Sequence, residues 1–463
     1  MFKFPHTLSI ISVIIIIMAI LTYVLPAGKF ERKYDEKLER DLVVANTYKT
    51  VEQNPQGYTA VLTSFLKGIM QASEIIGYVL IVGGVYGVVL RTNALNNGLM
   101  VLIKKLGRKT QILIPILMFL FAVGGTATGM WEETLAFYAI ICTLMIVAGF
   151  DSLTGVAILV LGAGTGVLAS TINPFATGIA SSIAEISIKD GMNYRILAWV
   201  IMVFTSVAYV MRYAMVVKKD PTKSLLTLEQ QAEHKQHFLS SMDVKKTDNA
   251  KFSRKDKLVV MGFTVNIVVM IFGVISLDWG ILELCMSFLT LAIFTAIVFK
   301  INQHTFWDHF IKGSSDLLAA ALVVGFARAI MVVANDGFIV DTILNAIATA
   351  LQGINKEFFI AINLVVQTCI GFFVPSSSGH AALTMSIMAP LADIFEIPRH
   401  SVVTAMQFAS GLANLITPTA GVLMAAIGIG RVGYSTWLKF ALPLFAILFI
   451  ISIIITTLSV FLG

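Results

Sequence analysis

Four short stretches of this 463-residue sequence place helix-breaking and hydrogen-bonding residues inside apolar surroundings. They are Gly124–Gly129, Ser170–Pro174, Pro375–Gly379 and Asn414–Thr419. Irregular backbone at membrane depth survives only where protein, water or ligand satisfies its N–H and C=O groups. Interrupting a helix there also exposes N–H groups that favour anions and carbonyls that favour cations. The chemistry indicated is recognition of a small polar solute or ion. A single stretch of this kind would read as a kink in an ordinary span, but four in matching pairs read as a site.

Titratable residues stand close by. Glu132 and Glu133 follow the first stretch, and adjacent helical residues point about 100° apart, so one of the two at most faces a central site. A carboxylate there can hold an amino group, coordinate a cation or carry a proton; a structural role beside Trp131 competes with these. His380 follows the third stretch, where contact with substrate, titration and a structural hydrogen bond are all open. Ser378 and His380 at i, i+2 would face apart on a helix, and no Gly-x-Ser-x-Gly or His-Glu-x-x-His run is present, so hydrolase chemistry is not indicated. Asn363 with Gln367, and Gln407 with Asn414, form polar stripes at helical spacing. Arg328 lies within an apolar span, where pairing with an acid or snorkelling outweighs a role in binding. Cys142, Cys285 and Cys369 are odd in number, show no metal spacing and read as small core residues.

The elements that position these residues follow from composition. The chain is 57% hydrophobic and 13% charged, against about 25% charged in a soluble domain. Of its charges, twelve fall in residues 28–57 and sixteen in 218–257, which leaves too few to clothe a soluble surface. Soluble enzymes, nucleic-acid binders and disulfide scaffolds are excluded; the chain is a polytopic, all-α membrane protein. Apolar runs of span length lie near 8–27, 73–92, 195–217, 258–277, 280–299, 315–334 and 438–462. The first has no cleavage site after it and reads as a retained span. The loop at 218–257 carries ten Lys/Arg against six acids, which places it in the cytoplasm, with a helix expected at Leu225–Phe238.

The halves resemble each other. Leu80–Gly83 aligns with Leu322–Gly325, Gly129 with Gly379, and Ile172–Pro174 with Ile416–Pro418, all at offsets near 245 positions. Arg91, Lys104, Lys105, Arg108 and Lys109 follow the first repeat's opening span, whereas the equivalent 335–357 holds Asp336, Asp341 and Glu357 with only Lys356. Opposite charge at equivalent places indicates inverted repeats. The expected organisation is a first span and extracytoplasmic loop (1–57), a first repeat (58–217) with a hairpin at 111–148 and a broken helix at 152–185, the cytoplasmic loop, two connecting spans (258–302), and a second repeat (303–463). The second repeat has its hairpin at 357–394 and its broken helix at 399–430. This makes about nine full crossings and two re-entrant hairpins, with the N-terminus inside and the C-terminus outside.

Phe4–Thr7, Leu25–Lys29, Gly129–Thr134, Asn173–Phe175 with Gly178–Ile179, and Pro375–Gly379 through Met388–Asp393 resemble the YfcC-like branch of the anaerobic C4-dicarboxylate carrier family, within the ion-transporter superfamily. The resemblance covers most of the chain outside 218–257. It implies a homodimer in which a mobile transport domain moves as an elevator along a fixed scaffold. Its implied site lies between two hairpin tips and two broken helices. By position it takes in Thr126, Thr128, Ser170, Asn173 and Thr177 in one half, and Ser376, Ser377, Ser378, Asn414, Thr417 and Thr419 in the other. Glu132, Glu133 and His380 join them from the reading of the residues.

The function expected is secondary active transport of a small molecule in the cytoplasmic (inner) membrane, by exchange or ion coupling, with no enzymatic activity. Regions 111–185 and 357–430 contain no Lys and only Arg399, while Glu132 and Glu133 lie by a tip, which leans toward a substrate with an amino group. The resemblance, whose branch includes basic amino acid exchangers as well as dicarboxylate carriers, implies amino acids such as arginine or ornithine, with a C4-dicarboxylate as the alternative. No cofactor or dedicated metal site is expected beyond a coupling Na+ or H+ near Asn173 and Thr417.

Overall fold

The computed structural model describes residues 7–35, 40–44, 46–95, 97–98, 101, 107–239, 252–277, 279–351 and 356–461. Lys104 and Lys105 lie outside these, as do the side chains of Arg108, Thr128, Lys356 and Glu357.

The first half runs α1 (Thr7–Val24), α2 (Tyr58–Gln71), α3 (Ser73–Arg91), α4 (Leu113–Thr128), α5 (Tyr138–Val147), α6 (Ser152–Leu168), α7 (Ile179–Ile183) and α8 (Met192–Lys219). The connector holds α9 (Leu228–Leu239), close to the helix expected there, and two further helices follow, α10 (Arg254–Ser276) and α11 (Ile281–Phe299). The second half runs α12 (Gln303–Asp316), α13 (Leu318–Asp336), α14 (Val340–Leu351), α15 (Lys356–Phe373), α16 (Ser377–Ile394), α17 (Arg399–Ile416), α18 (Gly421–Ile429) and α19 (Tyr434–Phe461).

Two groups of helices result. In one, α2 packs on α13 and α3 on α12, so the successive pairs α2–α3 and α12–α13 lie against each other, with α1 and α11 against them. In the other, α6 and α17 cross at the centre. α4, α5 and α8 pack on α6, while α15, α16 and α19 pack on α17. All 17 residues of α6 are buried, as befits a helix that is apolar all round. Asp151 starts it by accepting the Thr154 N–H at 2.8 Å, an N-cap that satisfies one orphan donor. The crossing depends on Gly411, where a Cβ would stand 2.3 Å from the Leu168 Cα.

Among the described residues, six helices are long and apolar enough to cross a membrane, or seven if the bent pair α12–α13 counts as one span. Nine crossings were expected. Of those expected, 8–27, 152–185 and 258–277 are not among these helices, the first two because the apolar segments Ile11–Val24 and Ser152–Leu168 fall short of span length. Lys109–Ala127, expected as a hairpin arm, is among them.

The loop after α1 is not purely irregular. β1 (Gly28–Lys29) pairs with β4 (Lys49–Thr50), and β2 (Arg32–Asp35) with β3 (Arg40–Val43), both antiparallel. Asp341 at the start of α14 anchors this loop: it accepts the Phe30 N–H at 3.0 Å and pairs with Arg32 at 2.8 Å.

Candidate substrate-binding site

Each hairpin tip is tied to a break. At the end of α4, Thr126 Oγ1 donates to the Ala169 carbonyl (3.2 Å) and accepts the Thr171 N–H (3.0 Å). Gly129 then ends the helix at φ +75°, a left-handed C-cap that suits glycine. A Cβ there would stand 2.6 Å from Asn173 Oδ1, so the amide of the break fills the space glycine leaves. Ser170 Oγ accepts the Asn173 N–H at 3.2 Å and lies 3.2 Å from Thr177 Oγ1.

In the second half, Ser376 caps α16 by accepting the Gly379 N–H (3.3 Å), with Ser378 Oγ 3.3 Å away. Ser377 accepts from Ser410 of α17 at 2.9 Å, one turn before Asn414. Thr419 donates to the Phe372 carbonyl at 2.5 Å, and its hydroxyl is 2.7 Å from that of Thr417. In both halves a threonine holds the end of a hairpin arm to the break, from the arm in the first half (Thr126) and from the break in the second (Thr419).

The halves also meet. Gln407, buried on α17, donates to the Val167 carbonyl (2.5 Å), and its Oε1 lies 3.1 Å from Thr177 Oγ1. The turn Pro174–Gly178 packs on α16 and α17, and α18 packs on the 3-10 turn Glu132–Phe137.

That turn separates the two glutamates. Glu133 Oε2 accepts the Trp131 N–H at 2.9 Å, so it caps its own turn. Glu132 makes no side-chain hydrogen bond to another residue among the described residues and is half-buried. The 3-10 conformation was not foreseen, and it is what divides a capping carboxylate from an available one.

His380 is fully buried behind the tip, with Nε2 2.7 Å from Gln367 Oε1 and its ring beside Gly371. Asn363 shares this seam, and its amide atoms, His380 Nδ1, Gln367 Nε2 and Asn414 Oδ1 have no partner among the described residues. His380 thus turns into the hairpin arm and not toward the space between the tips.

Arg195 was not singled out from sequence. It is fully buried at the start of α8 and donates to the carbonyls of Thr171 (3.3 Å), Asp190 (2.9 Å) and Ile188. In the second half, Tyr434 and Trp437 of α19 donate to the carbonyls of Ile416 (2.7 Å) and Leu415 (2.9 Å). Arg328 donates to Gln71 Oε1 of α2 at 3.2 Å, so of the two expected fates, pairing with an acid or snorkelling, the acid partner is replaced by an amide. Arg399 pairs with Asp393 (2.7 Å) and Glu185 (3.4 Å) at the end of the second hairpin.

The arrangement offers hydroxyls, amides, a capped helix N-terminus and one available carboxylate, a set that suits binding and release of a small polar molecule.

Comparison with known proteins agrees with a carrier. The family model for the C4-dicarboxylate anaerobic carrier, DcuC, matches residues 4–461. The provisionally named basic amino acid antiporter YfcC of Escherichia coli (strain K12) is 33% identical, over 97% of this chain and 95% of its own. An uncharacterised protein of Haemophilus influenzae is 30% identical, over 99% of this chain and 97% of its own. Among solved structures, MtrF of Neisseria gonorrhoeae, titled as illuminating a class of antimetabolite efflux pumps, is 15% identical at a TM-score of 0.42 and covers 99% and 96% of the two chains. The YdaH transporter of Alcanivorax borkumensis is 14% identical at 0.41, covering 99% of each chain. The family match over nearly the whole length, together with a third of residues shared with one relative, establishes that this chain belongs to the C4-dicarboxylate anaerobic carrier family and is a multi-pass membrane transporter.

Proposed function

We propose that this transporter moves amino acids, basic ones such as arginine or ornithine, by exchange or ion coupling across the cytoplasmic membrane. The observation that carries the reading is Glu132: a carboxylate with no hydrogen-bond partner on any other residue among the described residues, on the turn against which α18 packs. A buried carboxylate without a partner is costly, and a substrate ammonium would relieve that cost. Arg195, the cation nearest the first break, is spent on three backbone carbonyls and does not offer a clamp for a second carboxylate. The relative from Escherichia coli, named for basic amino acid antiport, points the same way.

The substrate would lie between the tips, with Thr126, Thr128, Ser170, Asn173 and Thr177 on one side and Ser376, Ser377, Ser378, Asn414, Thr417 and Thr419 on the other. The group built on α6 and α17 would travel as an elevator against the group built on α3 and α13, within a homodimer and with inverted repeats. The N-terminus would lie inside and the C-terminus outside. A coupling Na+ or H+ would sit near Asn173 and Thr417.

The second reading is a C4-dicarboxylate carrier, which the description of the family supports and which the capped N-terminus of α16 would serve as an anion-binding end. Counterflow into proteoliposomes loaded with arginine, ornithine, neutral amino acids, succinate or fumarate separates the two. Saturable exchange of amino acids alone supports the first, and exchange of dicarboxylates alone replaces it with the second.

A further inference from the structure

The connector helix α9 is docked against the protein. His234 is buried, with Nδ1 2.7 Å from the hydroxyl of Ser152 at the start of α6. The chain leading into α9 is held by Asp151, whose Oδ2 accepts from Tyr213 (2.7 Å) and Ser224 (2.6 Å). Leu226 and Phe238 are buried, and α9 packs on α5. All of these partners belong to the group built on α6 and α17. Yet His237 and Phe238 line a cavity of about 450 Å³ whose opposite wall is α3 and α12 of the other group, with Tyr86, Gly87 and Gly313. The helix therefore stands at the seam between the two groups, on the side to which the positive charge of the connector assigns the cytoplasm.

The groups facing this seam come from several elements. The charges of Arg431, Glu233 and Asp151 act on His234, and those of Arg431, Asp316 and His234 act on His237. Arg91, His309 and Lys312 line the same cavity. Burial, and then the Arg431 guanidinium, hold both α9 imidazoles below the ordinary value of 6.5. A side chain that is neutral when docked and hydrated when released gives a definite sign. Docking is complete above pH 6.5 and weakens as pH falls below it.

We propose that α9 is an acid-released latch that closes the cytoplasmic cavity between the two helix groups, with the His234–Ser152 contact as its catch. Released, α9 uncovers the cavity and speeds access from the cytoplasm. The inference rests on the transporter reading only for that last consequence.

The test uses the full chain in proteoliposomes with Cys142, Cys285 and Cys369 replaced by alanine. Thr143→Cys then places one thiol on the buried wall of the cavity. Its labelling by a hydrophilic maleimide, corrected for thiolate content, should accelerate between pH 7.5 and 5.5, by at most about tenfold per pH unit for one proton. His234→Asn should shrink the acid acceleration to the share His237 carries, and His234→Asn with His237→Asn should hold labelling slow at both values. Ser152→Ala, which leaves the imidazole in place, should make it fast at pH 7.5. An unchanged acid response in His234→Asn, or slow labelling in Ser152→Ala, overturns the latch. His234→Gln serves if the asparagine variant does not fold. Labelling needs no substrate, so failure of the latch is read separately from failure of the amino acid reading. Acid-faster labelling with unaltered cytoplasmic uptake would overturn the gating.

Discussion

Arg195 and Trp437 stand 242 positions apart, each the fourth residue of a 28-residue helix, and each donates to a carbonyl of the break that precedes its helix. Arg195 Nε reaches Thr171 O at 3.3 Å and Trp437 Nε1 reaches Leu415 O at 2.9 Å. A break leaves carbonyls without intrahelical partners, and in a dry interior those must be met by side chains. The same place in each of these two helices supplies the donor.

The carbonyls predict a ranking of stability. Trp437→Phe keeps the ring but orphans one acceptor, at a cost of about 1–3 kcal/mol. Arg195→Met orphans three and should cost more. Thermal unfolding of the detergent-solubilised variants should order them wild type, Trp437→Phe, Arg195→Met, and the reverse order would remove the capping role of Arg195.

Glu132 and Glu133 should separate into two phenotypes. Glu133→Gln keeps an oxygen for the Trp131 N–H and should lower thermal stability slightly while transport persists. Glu132→Gln keeps an oxygen for its own backbone N–H, disturbs no hydrogen bond to another described residue and should fold normally. It should lose about ten- to a hundredfold in apparent affinity for substrates with an amino group, the worth of one charged hydrogen bond. Equal affinities for both variants would take Glu132 out of the site.

Close approach of α6 and α17 makes another contrast. Gly411→Ala drives a Cβ into the Leu168 backbone at 2.3 Å, so folded protein should be lost. Gly77→Ala, with nothing within 4 Å of the new Cβ, should express and melt like wild type. Size-exclusion chromatography of both decides whether that crossing is as tight as described.

What sequence could and could not convey follows from the range of the interactions. The breaks were legible because Pro, Gly, Ser and Thr are conspicuous in apolar runs, and α9 was legible from its own periodicity. Arg195 was not, since its three acceptors are backbone carbonyls that any sequence carries. The signal that would have found it is its equivalence with Trp437 at the repeat offset. The strand pairs after α1 are two to four residues long, too short for an alternation pattern to register. Arg328 was expected to pair with an acid or snorkel because sequence shows the charge of a residue but not which helix, here α2 with Gln71, will face it.

Asn173 and Thr417 precede the two helix-break prolines, and a residue before proline is held away from the helical region whatever its side chain. Asn173→Ala and Thr417→Ala should therefore keep their breaks and melt near wild type. Each should weaken apparent substrate affinity about ten- to a hundredfold, as expected for one hydrogen bond to a charged partner. Ser9→Ala, exposed on α1, should change nothing. Normal affinity in both break variants would reduce the prolines to structural kinks.

Glu132, a carboxylate with no partner on another described residue, is proposed to receive an amino acid beside the paired breaks, and counterflow measures this most directly. Proteoliposomes preloaded with unlabelled arginine should take up labelled arginine or ornithine saturably against its gradient, with succinate and fumarate failing to compete. Uptake of labelled succinate that arginine and ornithine leave untouched would contradict the account and identify the chain as a dicarboxylate carrier.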